Sequence, residues 1–202
     1  MSKVFGFDRV RLAYGHTIGP DGGGDSMSDG TSTPTADPRW TELLEDTAEI
    51  ADEYRNAGWD AVVLEPSDVS PSERADRFGF DVRVSDAEYG LVETLVGGDD
   101  VTFGDAEVYY RPADGEARRF ALVVERDRET ETAVCLPLTY SLEEFRPVFE
   151  TALPAEELLV HVRSDRDAEA DETDDASDRW LTFSHDDPSL FLEESDVRNW
   201  TG

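Results

Sequence analysis

The sequence predicts an α+β fold: a mostly antiparallel sheet, built from a three-strand meander plus a C-terminal strand pair, with about three helices packed on it. Three observations lead there. Apolar residues recur every three or four positions in stretches opening near Pro38, Ser85 and Ser141, the period of a helix that buries one face. Alternating or continuous apolar runs bounded by turn residues mark strands between and after these stretches. Consecutive strands outnumber strand–helix–strand crossovers, which disfavours an all-parallel sheet.

Taken in order, residues 1–37 read as a flexible or disordered leader. Gly22, Gly23 and Gly24 sit beside a Ser/Thr/Asp/Gly/Pro stretch, the composition of a linker, and Met27 inside it is a candidate alternative start. The first helix spans Pro38 to Ala57, with Trp40, Leu43, Thr47, Ile50 and Tyr54 on one face. Asp37 is placed to cap it, Pro38 suits its first turn and Gly58 suits the position just past its end. Ala61 to Leu64 form a short buried strand closed by Pro66, and Phe78, Phe80, Val82 and Val84 alternate as a half-buried one. Ser85 and Glu88 have the spacing of a capping box and open a helix with Tyr89, Val92, Leu95 and Val96 inward, stopped by Gly97 and Gly98.

The meander runs from Val101 to Arg111, turns at Asp114-Gly115, continues through Phe120 to Val124, and returns over Ala133 to Leu138. The unbroken run Phe120–Val124 suggests a central strand covered on both faces. Pro137 lacks a ladder donor and is expected at a strand end or edge. Ser141 and Glu144 suggest a second capping box before Leu142, Phe145, Val148, Phe149 and Ala152, with a kink or restarted turn at Pro147. Leu158 to Arg163 and Arg179 to His185 are the last two strands. Between them residues 165–178 form an acidic, solvated loop. The domain is thus expected over 38–192, ending in a turn begun by Asp187-Pro188, with a tail over 193–202.

Charge narrows the functional classes. In 202 residues, Asp and Glu outnumber Lys and Arg by 48 to 18, a formal charge of -30. Nucleic-acid binding needs a basic footprint, so no nucleic-acid partner is expected. No apolar run approaches the roughly 20 residues that span a bilayer, so no membrane partner is expected either. Lys3 is the only lysine and Cys135 the only cysteine. So large a charge opposes compaction at low ionic strength, whereas in molar salt the screening length falls to about 3 Å. With acids spread among well-patterned apolar residues, the chain reads as a halophilic, haloarchaeal protein. Without an apolar export segment at its start, it is expected in the cytoplasm.

Chemistry-bearing motifs are few. Gly19 to Gly24 lacks the Lys-Ser/Thr ending of a phosphate loop, and neither a Gly-x-Ser-x-Gly elbow nor a His-Glu-x-x-His motif occurs. His16 lies in the leader. His161, His185 and Asp186 are the weak catalytic or metal-site candidates. If the last two strands pair with odd-numbered residues on one face, His161 comes near Leu181 or Phe183. A metal site would need both imidazoles with Asp186 or Asp187 at the same end. More commonly such histidines are half-buried sheet residues bonded to neighbours. Cys135 lies in an apolar strand and is expected to be an inert small hydrophobe. No cofactor is implied.

Four stretches resemble an uncharacterised haloarchaeal domain-of-unknown-function family: Glu53 to Asp60, Phe78 to Val82, Phe120 to Val124, and Thr182 to Phe191. That resemblance implies no activity and no site residues. The order of elements is also similar to that of adaptor and secretion-chaperone-like folds, in topology alone. The leading expectation is a non-enzymatic protein-binding or adaptor module with a protein partner. The alternative is a small hydrolase or metal-dependent enzyme using His161 and His185 with a nearby carboxylate.

Overall fold

The computed structural model describes residues 37–74, 77–96, 101–111, 118–165, 180–193 and 196. The leader through residue 36, the Gly97-Gly98 stop, the Asp114-Gly115 turn, the acidic stretch from 166 on and the tail beyond Asp196 lie outside these. In chain order the elements are α1 (Pro38–Asn56), β1 (Asp60–Val63), β2 (Asp68–Arg74), β3 (Arg77–Val84), α2 (Asp86–Val96), β4 (Asp105–Arg111), β5 (Arg118–Asp127), β6 (Thr132–Ser141), α3 (Arg146–Ala155), β7 (Leu158–Ser164) and β8 (Trp180–His185), followed by a 3-10 turn, Pro188–Phe191.

Among the described residues two four-stranded sheets, rather than one, form the frame, with strand orders β1-β6-β5-β4 and β2-β3-β7-β8. The antiparallel meander β4-β5-β6 and the β7–β8 pair are present. Each sheet is nonetheless mixed, because β1 runs parallel to β6 and β3 parallel to β7. Counting consecutive strands speaks only to pairs joined by short turns. These parallel partners come from distant parts of the chain, where a long connection permits either direction.

The first sheet is the middle layer. One face carries Phe120, Leu122, Val124, Ala133 and Cys135, covered by Trp40, Leu43 and Ala51 of α1. The opposite face, with Ala121, Val123, Val134 and Leu136, packs on Phe80, Val82, Val160, Val162 and Phe183 of the second sheet. Tyr89 and Val92 of α2 and Val148, Phe149 and Ala152 of α3 join that inter-sheet core. The helices therefore do not share one side. Successive β5 residues enter different cores, which is why its run Phe120–Val124 is unbroken by polar residues and the strand is almost wholly buried.

Local signals explain most boundaries. The Asp37 carboxylate accepts from the Arg39 N–H at 2.9 Å, and Gly58 leaves α1 with φ +95°. Ser85 and Glu88 make the expected reciprocal box, at 3.0 and 3.3 Å. The second expected box is absent: Ser141 ends β6, and α3 starts at Arg146 with Pro147 in its first turn and no side-chain cap. Proline is accommodated there because a first-turn N–H has no intrahelical acceptor anyway. Pro137 lies in mid-strand, opposite Leu122. The β1 pairing stops at Cys135, so β6 is locally an edge at that point. Sequence reading missed β2, whose Asp/Ser/Pro-rich segment looks like a loop. It survives as an edge strand, the place in a sheet where a proline such as Pro71 is tolerated.

Gly79 is required by close packing. Its φ is +142°, and a Cβ there would stand 2.1 Å from the Leu159 carbonyl oxygen. Phe80 beside it is the hub of an aromatic cluster, with ring centroids 4.4 Å from Phe145, 5.0 Å from Tyr140 and 5.6 Å from Phe191. The Tyr140 hydroxyl donates to the Phe191 carbonyl at 2.5 Å. Further on, the buried Arg119 guanidinium donates to both Asp196 oxygens. These contacts hold the 3-10 turn against the sheets and so fix one wall of the site below.

Candidate functional site

The register of β7 and β8 decides which histidine faces where. Val160 pairs with Phe183, His161 with Thr182 and Leu158 with His185. Odd residues of β7 therefore share a face with even residues of β8, the reverse of the parity expected from sequence. Leu158, Val160 and Phe183 belong to the inter-sheet core, so His185 points inward. His161 points to the other face, in a cross-strand row with Ser70, Asp81 and Thr182. There its Nδ1 lies 2.9 Å from the Thr182 hydroxyl, beside a bidentate Arg163–Asp81 pair. The two imidazoles do not converge.

What His185 meets instead is Glu125. On β5 this residue follows Ala121 and Val123 on the inward face, between Ala106 and Val134 of the flanking strands. The two side chains reach toward each other from opposite sheets, with His185 Nε2 3.1 Å from Glu125 Oε1. Glu125 is 3 % and His185 4 % exposed. These two atoms lack the alignment of a hydrogen bond and have no other hydrogen-bond partner among the described residues. The His185 ring is held edge-on to Phe191, centroids 4.9 Å apart. A buried polar pair left so incompletely satisfied costs free energy.

The pair lines a cavity of about 470 Å³ at the seam between the sheets. Phe103 and Phe183, edge-to-face at 5.4 Å, form an aromatic wall, and Leu190 of the 3-10 turn contributes to another. Asp186, exposed, stands among the lining residues with Asp187. Asp187 rather than Asp186 caps the turn, accepting from the Ser189 N–H at 3.1 Å. Of the candidates named from sequence, His185 and Asp186 thus share one site and His161 does not. Glu125 was missed because a single carboxylate closing an apolar strand shows neither its inward parity nor the strand it will oppose.

Two other candidates separate from this site. Cys135 is buried under α1 on the outer face of the first sheet. Burial pushes its thiol up to about 11, far from the lowered value a nucleophile needs. Asp165, the one described member of the acidic stretch, accepts from the Ser67 hydroxyl at 2.7 Å. Among the described residues no three His, Cys, Asp or Glu side chains are grouped to hold a metal ion. Among them, too, no helix is long and apolar enough to cross a membrane.

With this geometry in place, residues 28–193 match a family of unknown function, DUF7529. The chain belongs to that family. The match takes in every residue of the cavity, Glu125, His185 and Asp186 included. No curated protein and no solved structure matches the chain.

Proposed function

We propose that this DUF7529 domain is a binding module, and that its recognition element is the seam cavity with the Glu125–His185 pair at its core. One observation carries the reading: two polar atoms, nine-tenths or more buried and without aligned partners, line a cavity of ligand size. A volume of roughly 300–1,000 Å³ with a few converging polar groups is usual for small-molecule sites. A protein partner, the class expected from sequence, has less to dock on. Leu91 is the one large hydrophobic side chain exposed among the described residues. The acid excess supports a setting in molar salt, as in a haloarchaeal cytoplasm.

A fragment screen followed by backbone and histidine NMR in molar KCl tests the proposal. Shifts should gather at Phe103, Glu125, Phe183 and His185. Shifts gathering around Leu91 or the free edge of β4 would favour the adaptor reading and sink this one. The His–carboxylate contact also favours a second reading, hydrolysis with Glu125 and His185 activating a water. Turnover of activated esters that is lost in His185→Ala would support it.

A further inference from the structure

Resting on the reading of the cavity as a ligand site, we infer that its ligand is a small organic cation: an amine or guanidinium carried on an apolar or aromatic body. Among the described residues four carboxylates line the cavity (Asp105, Glu125, Asp186 and Asp187), with one imidazole, His185, and no Lys or Arg. Two of the four are already engaged. Asp105 accepts from Arg126 at 2.6 Å and Arg128 at 2.8 Å, and Asp187 from the Ser189 N–H. That leaves Asp186, exposed, and Glu125, buried with an oxygen lacking an aligned donor.

A bound ammonium would supply the missing donor to Glu125. It would do so at a carboxylate only 3 % exposed, where a charge contact is stronger than at the surface. An anion would meet Glu125 and Asp186 with like charge. A neutral ligand could complete the hydrogen bond but gain nothing from the charge. The walls suit the rest of such a molecule, because Phe103 and Phe183 supply aromatic, apolar area beside the carboxylates.

Three probes sharing one ring separate the alternatives: benzylammonium, benzyl alcohol and benzoate. Each is titrated into the full chain in molar KCl and followed by calorimetry and by the ring signals of ¹³C-labelled His185. The expected result is benzylammonium bound at least about tenfold more tightly than the alcohol, benzoate weakest, and His185 signals moving with the ammonium. Glu125→Gln should erase the preference. Asp186→Asn, an exposed change that leaves the core alone, should weaken it in the same direction.

If the alcohol or benzoate binds as tightly as benzylammonium, or if the preference survives Glu125→Gln, the cation inference is overturned. Movement of His185 signals in that case leaves the cavity standing as a ligand site. Should none of the three probes move His185, the reading of the cavity as a ligand site falls with it.

Discussion

Replacing both members of the buried pair with leucine asks whether Glu125 and His185 hold the sheets together or are kept for another purpose. In Glu125→Leu, the His185 Nε2 atom would face hydrocarbon where the carboxylate had been; in His185→Leu, Glu125 Oε1 would. Each single change leaves one buried polar atom stranded, which costs about 1–3 kcal/mol. The double replacement removes both. Around the pair lie apolar neighbours, Val134 beside Glu125 and Leu158 beside His185, against which leucines can pack. Swapping a buried polar pair for apolar side chains of similar volume is often neutral or stabilising, by up to about 1–4 kcal/mol. For a domain of this size each kcal/mol moves Tm by about 2–4 °C. The double variant should therefore melt at or above the parent temperature, while both singles melt below it. Circular dichroism melts in molar KCl without added ligand, checked for reversibility, measure this. A double variant less stable than either single would show that the contact is a structural clamp and would refute the inference that stability is spent there on binding.

Four further outcomes follow from the same structure. Gly79→Ala should destabilise by well over about 1 kcal/mol, the usual scale for a residue whose φ and space both suit glycine, because its Cβ meets the Leu159 carbonyl; a denaturant midpoint equal to the parent's would contradict the register of β3 and β7. Alkylation of Cys135 at pH 8 should be negligible until denaturant is added, since burial raises its thiol to about 11; rapid native labelling would mean α1 does not cover it. Asp37 is held below the ordinary carboxyl value by the Arg39 side chain, and Asp127 by the Thr102 N–H. Their folded pKa values are depressed, so the stability they contribute is present above about pH 4 and lost as pH falls through the folded values. Thermal melts from pH 6 to 3 should show that fall, and Asp127→Asn should flatten it. Removing KCl should cost folded structure, given a formal charge of -30; a spectrum indifferent to salt would count against the halophilic reading.

Much of the scaffold was legible from the chain. Several local signals held: Asp37 and Gly58 bound α1, the Ser85–Glu88 box opens α2, and the unbroken run around Leu122 is a strand buried on both faces. The Ser141–Glu144 box misled because Pro147, placed to be tolerated in a first turn, moved the start of α3 to Arg146. β2 escaped notice because an edge strand needs neither apolar alternation nor freedom from proline.

By itself, then, the sequence determined the helices, the meander, the two-sided burial of β5 and the acidic surface, since each follows from the backbone period and the neighbours a few residues away. The tertiary structure alone decided the split into two mixed sheets, the parity of β7 and β8, and the meeting of Glu125 with His185. β7 and β8 are separated in the chain by residues 165–179, too many for a two-residue hairpin turn to set their register, and a shift of one residue there exchanges the two faces. That single parity turns His185 to the cavity and His161 away from it. Glu125 gained its partner only when a second sheet, folded from other parts of the chain, closed over the inward face of β5.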